Sequence, residues 1–241
     1  MCSVRPVCRA ANRRRSSAEA TTRCSNGRSA RAARGWRASE GSEAGIERLV
    51  AGETIAAAIH LHALDDPAAD ANVAAIEARG DLQEAVLIGF CRREQGFLVA
   101  NGNPVKIGCV ADVVVKGARM AQRPKGAGAQ LLFLALLKQA KPPAEKLATE
   151  PMCPTGPDVA QAIRAGRADC GIATRSVAVS AGRDFVPALW EPFDLLMRQC
   201  DYFGAPLQVL MRFLRTDTFR TRAGELGGSD VAAAGEVRFV N

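Results

Sequence analysis

The sequence predicts an α/β fold, and three observations predict it. Apolar runs of strand length alternate with amphipathic segments of helix length along most of the 241-residue chain. Small residues abound, with 22 Gly, while aromatics make up only 5%, a composition suited to helices packed closely on a sheet. Two of the strand-to-helix junctions, at residues 39–42 and 125–130, are rich in Gly and Ser. Strands alternating with short helices imply βαβ units and a mostly parallel sheet. In such sheets ligands bind outside the carboxyl ends of the strands, so those loops are where a site is expected.

The first 34 residues stand apart from this pattern. They carry clustered Arg and Ser and almost no Leu, Ile or Phe, too little apolar surface to offset the entropy of ordering them, so a disordered tail is expected. Trp36–Ser39 is a short strand candidate. Ala44–Gly52 is predicted helical, with Ile46, Leu49 and Val50 on one face and Gly52 as the stop. Thr54–Leu61 follows as a buried strand and Ala71–Arg79 as a second helix. Ala85–Phe90 and Gln95–Ala100 are two apolar strand segments separated by Cys91-Arg92-Arg93-Glu94.

Past the Asn101–Pro104 turn the rhythm continues. Val110–Val115 fits helix or strand equally, and Met120–Arg123 is a strand leading into the apolar helix Ala129–Ala140. Asp158–Ala165 is helical with Gly166 as its stop, and Asp169–Ala173, Phe185–Leu189 and Phe193–Met197 are strands. Pro206–Arg215 and Thr218–Leu226 are the closing helices.

Charge and cysteine usage exclude several classes. The formal net charge of +7 is localised, because residues 1–40 hold ten Arg against two acids, leaving 22 basic and 23 acidic residues beyond them. Attraction for nucleic acid therefore belongs to the tail and not to the body. None of the eight Cys forms a C-x-x-C pair, and several lie in apolar runs, so reduced, structural cysteines in a cytoplasmic protein are expected. No stretch of 18 apolar residues occurs, and no membrane partner is expected.

The candidate site residues come from the loops. Ser39, Gly41 and Ser42 open the first helix, and Gly126, Ala127 and Gly128 open the long apolar one. Unpaired N–H groups and the positive end of the helix dipole at such starts suit an oxyanion, although Ser and Gly there also serve as plain caps. His60 and His62, two apart at a strand end, share a face and suit a ligand or a polar rim; no metal and no cofactor is expected. Charge inside one sheet is anomalous, so Arg92–Gln95 fits a crossover where a strand leaves one core for another, with Arg93 and Glu94 pairing on a hinge surface or an Arg facing the cleft. No Walker A, complete dinucleotide fingerprint, nucleophile elbow or acid pair occurs, and the chain is not expected to be an enzyme.

Four segments taken together resemble a known family. CRREQGFLVANGNP (91–104), QRPKGAGAQLLFLALL (122–137), AIRAGRADCGIA (162–173) and DFVPALWEPFDLLM (184–197) are similar to the periplasmic-binding-protein-like (PBP superfamily) domain of bacterial regulators. That domain follows a helix-turn-helix module, is fused to molybdopterin-synthesis proteins, and is similar to molybdate-binding proteins. The resemblance implies a two-lobed α/β fold of type II with the ligand cleft between lobes. Residues 35–90 with 188–241 would form lobe one, and residues 91–187 lobe two. It implies that His60 and the crossover residues Arg93 and Gln95 line the cleft and that Asp169 orients lobe two. It further implies an effector domain for a small molecule or oxyanion, molybdate-like, with a homodimer as the candidate assembly. DNA would be reached only through a missing or separate DNA-binding domain, because the family's first strand, helix and preceding module are here replaced by the Arg-rich tail. The alternatives are an exported receptor of an ABC-type transporter and a nucleic-acid-binding protein acting through the basic arm.

Overall fold

A computed structural model of the chain describes residues 41–62, 70–141 and 151–241. The tail expected over 1–34, the strand at Trp36–Ser39 and the candidate Ser39 lie outside these residues.

Two long strands organise the molecule. The first, β2 (Ala85–Val99), and β5 (Asp184–Arg198) each span 15 residues and pair antiparallel along their whole length. At one end of this ribbon lie β1 (Ala56–Ile59), which pairs with the end of β5, and, on the opposite edge, β7 (Val237–Val240), which pairs with the start of β2. Further along, β4 (Cys170–Thr174) pairs with the end of β2, and β3 (Met120–Ala121) pairs with β4. The short β6 (Ser229–Asp230) joins β2 at Arg92 and Arg93, midway.

The strand predicted as two pieces, 85–90 and 95–100, is one continuous strand, and so are the two pieces predicted within 184–198. Charged residues interrupt the apolar runs without interrupting the ladder, because the backbone hydrogen bonds pass through a region where the side chains change surroundings. Register shifts at Gly89/Cys91 and Gln95/Gly96 bracket that region, and such bulges bend and twist a strand. The sheet is also mostly antiparallel, against the parallel sheet expected, with β3–β4 the parallel strand pair. The two crossover strands run in opposite directions side by side, and β1, β4, β6 and β7 dock on them in the antiparallel sense.

Helices cover both faces at both ends. At one end α1 (Ser42–Val50) and α2 (Ala71–Glu77) bury Ile46, Leu49 and Ile76 against Ala57, Ile59, Leu87 and Leu196. The opposite face carries Val86, Ile88 and Met197 under Leu207, Met211 and Leu214. Those three belong to α8 (Ala205–Leu214), which follows the single turn α7 (Gln199–Tyr202) and precedes α9 (Asp217–Leu226).

At the other end α3 (Val110–Val115) and α4 (Gly128–Ala140) bury Val113, Leu132 and Phe133 against Phe97, Met120, Cys170 and Ile172. The remaining face packs α5 (Gly156–Arg164) and α6 (Arg175–Ala181) on Leu98, Ala121 and Ala173. A capping box between Thr155 and Asp158, followed by Pro157 in the first turn, fixes the start of α5. Each pair of apolar clusters lies at its own end of the crossover ribbon, and residues 91–95 and 190–193 lie between them.

Candidate functional site

Between the two pairs of cores lies a polar seam centred on Glu191. Its side chain is fully buried, and three groups hold it. Gln95 Nε2 donates to Oε1 at 2.9 Å. The Arg93 Nε–H also bonds Oε1, and His62 Nε2 meets Oε2. His60 Nδ1 stands farther off, 3.7 Å from Oε2. Burial alone would raise the carboxyl pKa, but the two neighbouring imidazoles and the charge of Arg93 outweigh it and hold Glu191 well below the usual carboxylate range. Burial pushes the His60 pKa down, with Arg93 and His62 adding to that and Glu191 opposing it. Phe193 forms the floor, stacked on His60 with ring centroids 5.7 Å apart and carrying the Arg93 guanidinium 4.3 Å above its ring.

A second node steadies the end of β1. Asn72, in the first turn of α2, accepts the Leu61 N–H at 2.8 Å and donates to Asp194 Oδ2 at 2.7 Å. Arg238 pairs with both Asp194 and Asp70. The loop that carries His60 and His62 is thus pinned from α2 and from β7. Ser42 adds another tie, its Oγ accepting the His60 N–H at 2.9 Å.

Two helix N-termini from opposite ends meet across this seam. Gly41, at the start of α1, has φ 109° and lies so close to the Gly126 carbonyl that any side chain there would collide with it. Gly128, the first residue of α4, faces the His60 ring, and a Cβ at 128 would overlap the imidazole. The absence of side chains at 41 and 128 therefore lets the two ends close on each other. A side chain at 128 would meet His60 before it met anything lying between the ends.

The structure thus gathers Gly41, Ser42, His60, Arg93, Gln95, Gly126, Ala127 and Gly128 of the predicted set around one seam. Asp169 is elsewhere. It precedes β4, where its carboxylate takes Arg119 Nη2 at 2.6 Å and the Arg119 N–H at 2.8 Å, tying β3 to β4 at the end away from the seam. Strand direction explains this. Residues before a parallel strand emerge opposite its carboxyl end, so an acid at 169 cannot reach the loops after 121 and 174.

Sequence reasoning missed Glu191, although a signal existed: a lone acid in the apolar run ALWEPF, where charge is rarely buried without partners. It also missed Gln122 and Arg123, just past the carboxyl end of β3. Arg123 Nη2 donates to the Pro154 carbonyl at 2.9 Å, while its Nε is buried and has no partner among the described residues. Burial pushes the Arg123 pKa down. Among the described residues no three His, Cys, Asp or Glu side chains gather as a metal site, and no helix is long and apolar enough to cross a membrane.

Comparison with known proteins gives concordant results. A model of the PBP superfamily domain matches residues 27–215. The uncharacterized protein YvgK of Bacillus subtilis (strain 168) is 26% identical over 154 residues, covering 63% of this chain and 49% of that protein. The chain therefore spans about half the length of this curated relative. The regulatory domain of CcmR from Synechocystis PCC6803, solved in complex with 2-PG, superposes with a TM-score of 0.53 at 11% identity. That match covers 72% of this chain and 77% of the other. The periplasmic aliphatic sulphonate binding protein SsuA from Escherichia coli gives a TM-score of 0.47 at 17% identity, covering 77% of this chain and 63% of that one. At these identities the likeness to solved structures concerns the fold.

Proposed function

The chain belongs to the PBP superfamily, and from that premise we propose that it binds a small anion in the Glu191 seam as the effector domain of a cytoplasmic regulator. The observation that carries this reading is the meeting of the α1 and α4 N-termini across the seam, at Gly41–Gly126 and at His60–Gly128. Two helices from opposite ends direct the positive poles of their dipoles into one place, which favours an anion. Arg93 and the half-buried Arg123 add positive charge nearby, and Arg123 Nε has no partner among the described residues. Glycine at both contacts permits the backbone to approach a ligand closely once the ends part.

The ligand class extends to oxyanions of the molybdate type. A thermal-shift screen over molybdate, tungstate, sulfate, phosphate and small carboxylates tests it. A ligand that binds only the folded state stabilises it by about 2.7 kcal/mol at a hundred times its Kd, so a rise of several degrees is expected for at least one anion. No rise for any of them would remove this reading. Residues 1–37, with ten Arg, support a separate role in nucleic-acid contact. For that role, DNA binding must weaken steeply with salt and vanish on deletion of the arm.

A further inference from the structure

Two buried amides in the seam have orientations that their partners dictate. Gln95 Nε2 donates to Glu191, and an ionised carboxylate only accepts, so Gln95 Oε1 must be the end turned away. That oxygen is buried and has no hydrogen-bond partner among the described residues. The second amide is fixed through a relay. The Arg123 backbone N–H only donates and gives its bond to Gln130 Oε1 at 2.8 Å. The other end of Gln130, Nε2, therefore faces Gln122 Oε1, at 2.7 Å. Gln122 Nε2 is left as the outward group, and it too is buried and unpartnered among the described residues. Gln95 and Gln122 are 3% and 9% exposed, so bulk water does not reach them freely.

Both orphans lie on the same face of the sheet. Phe97 is paired with Ile172 and Met120 with Cys170, and all four pack beneath α3 and α4. Gln95 lies two residues before Phe97 and Gln122 two after Met120, so alternation puts both on the α4 side. The first turn of α4, which contains Gln130, and the His60–Gly128 contact are on that side as well. His60 Nδ1, 3.7 Å from Glu191 Oε2, is a third buried atom there with no hydrogen-bond partner among the described residues.

A pure anion satisfies only part of this set. Gln122 Nε2 wants an acceptor and the positive end of α4 favours one, whereas Gln95 Oε1 wants a donor. We propose that the seam is built for a small organic acid that also carries a hydroxyl or amino group. Its carboxylate faces Gln122 Nε2 and the start of α4, and its donor faces Gln95 Oε1. This rests on the anion-binding reading above and narrows it. Molybdate and sulfate at neutral pH present only acceptors and leave Gln95 Oε1 bare.

The test is isothermal titration calorimetry of the full chain with glycolate, L-lactate, D-glycerate and glycine, set against acetate, propionate, sulfate and molybdate. At least one hydroxy or amino acid is expected to bind ten-fold or more tightly than its unsubstituted parent. Gln122→Glu keeps the acceptor that Gln130 needs and puts negative charge in place of the orphan donor. A further ten-fold loss is expected from it, with the thermal midpoint of the free protein confirming the fold. The substituent comparison in the unaltered chain stands even if that variant fails to fold. Equal affinity with and without the donor, or molybdate or sulfate outcompeting every hydroxy and amino acid, overturns the inference and leaves anion binding intact. An unchanged affinity in folded Gln122→Glu does the same. Binding of none of the probes overturns both.

Discussion

Glu191 with Arg93 and Asp169 with Arg119 are the same pair chemically, yet they do different things. Glu191 is fully enclosed and Arg93 partly buried, and the acid has two further direct partners besides. Arg119 is half exposed, and its pairing with Asp169 closes the rim between β3 and β4. A buried acid must keep every partner, because each lost bond leaves charge stranded in a poor solvent for it. A rim pair competes with water and holds little energy of its own. Position in the fold, more than the identity of the charges, decides which pair is structural trim and which organises a site.

The largest expected effect separates the two directly. Glu191→Ala strands Arg93 and His62 in the seam and is expected to cost about 3 kcal/mol or more in denaturant unfolding. A loss no greater than that of a rim substitution would mean that the seam is wet and open. Next comes Gly128→Val, which drives a branched side chain into the His60 ring. Overpacking of this kind costs about 1–3 kcal/mol, and here it should also wedge the two ends apart, seen as a larger radius of gyration in solution scattering.

A pH series gives the third effect. His60 has a folded pKa below its ordinary 6.5, so the folded state binds fewer protons than the unfolded chain in the window beneath that value. The stability His60 contributes is present above pH 6.5 and is lost as pH falls towards the folded pKa. Glu191, held below its ordinary 4.5, begins to lose its contribution only as pH falls below that value, so a series that stops at pH 5 mainly reads His60. Urea midpoints between pH 7.5 and 5 should fall in the native protein and fall less in His60→Gln. The smallest effect is Asp169→Ala, expected below about 1 kcal/mol because Arg119 is well solvated. A thermal midpoint change as large as that of Glu191→Ala would erase the distinction.

Much of the architecture was legible in the chain. Helix starts and stops around residues 44–52, 129–140 and 206–226 followed from apolar spacing and glycine, because those segments bury one face each. The loops at 41–42 and 126–128 were found for the same reason, as helix starts with small residues. Strand continuity through Cys91–Glu94 was not legible, since side-chain polarity reports surroundings and the ladder is made by backbone. Glu191 was hidden because its partners lie about a hundred residues away in sequence, at Arg93 and Gln95, and further still at His60 and His62. The helix Arg175–Ala181 and the strand Val237–Val240 are short and lean on tertiary neighbours more than on a pattern of their own.

The paired 15-residue strands carry a consequence for how the molecule can be cut. At about 3.3 Å per residue each runs for about 50 Å, and the same two strands belong to both halves of the sheet. Neither half is a cassette. Excising residues 91–187 severs both strands at the seam and leaves ragged, unpaired main chain on each fragment, the kind of edge that seeds aggregation. Transplanting one half onto a foreign partner would have to match ladder register as well as surface shape. Insertions are better placed at exposed turns such as Asn101–Gly102, which no crossing strand threads.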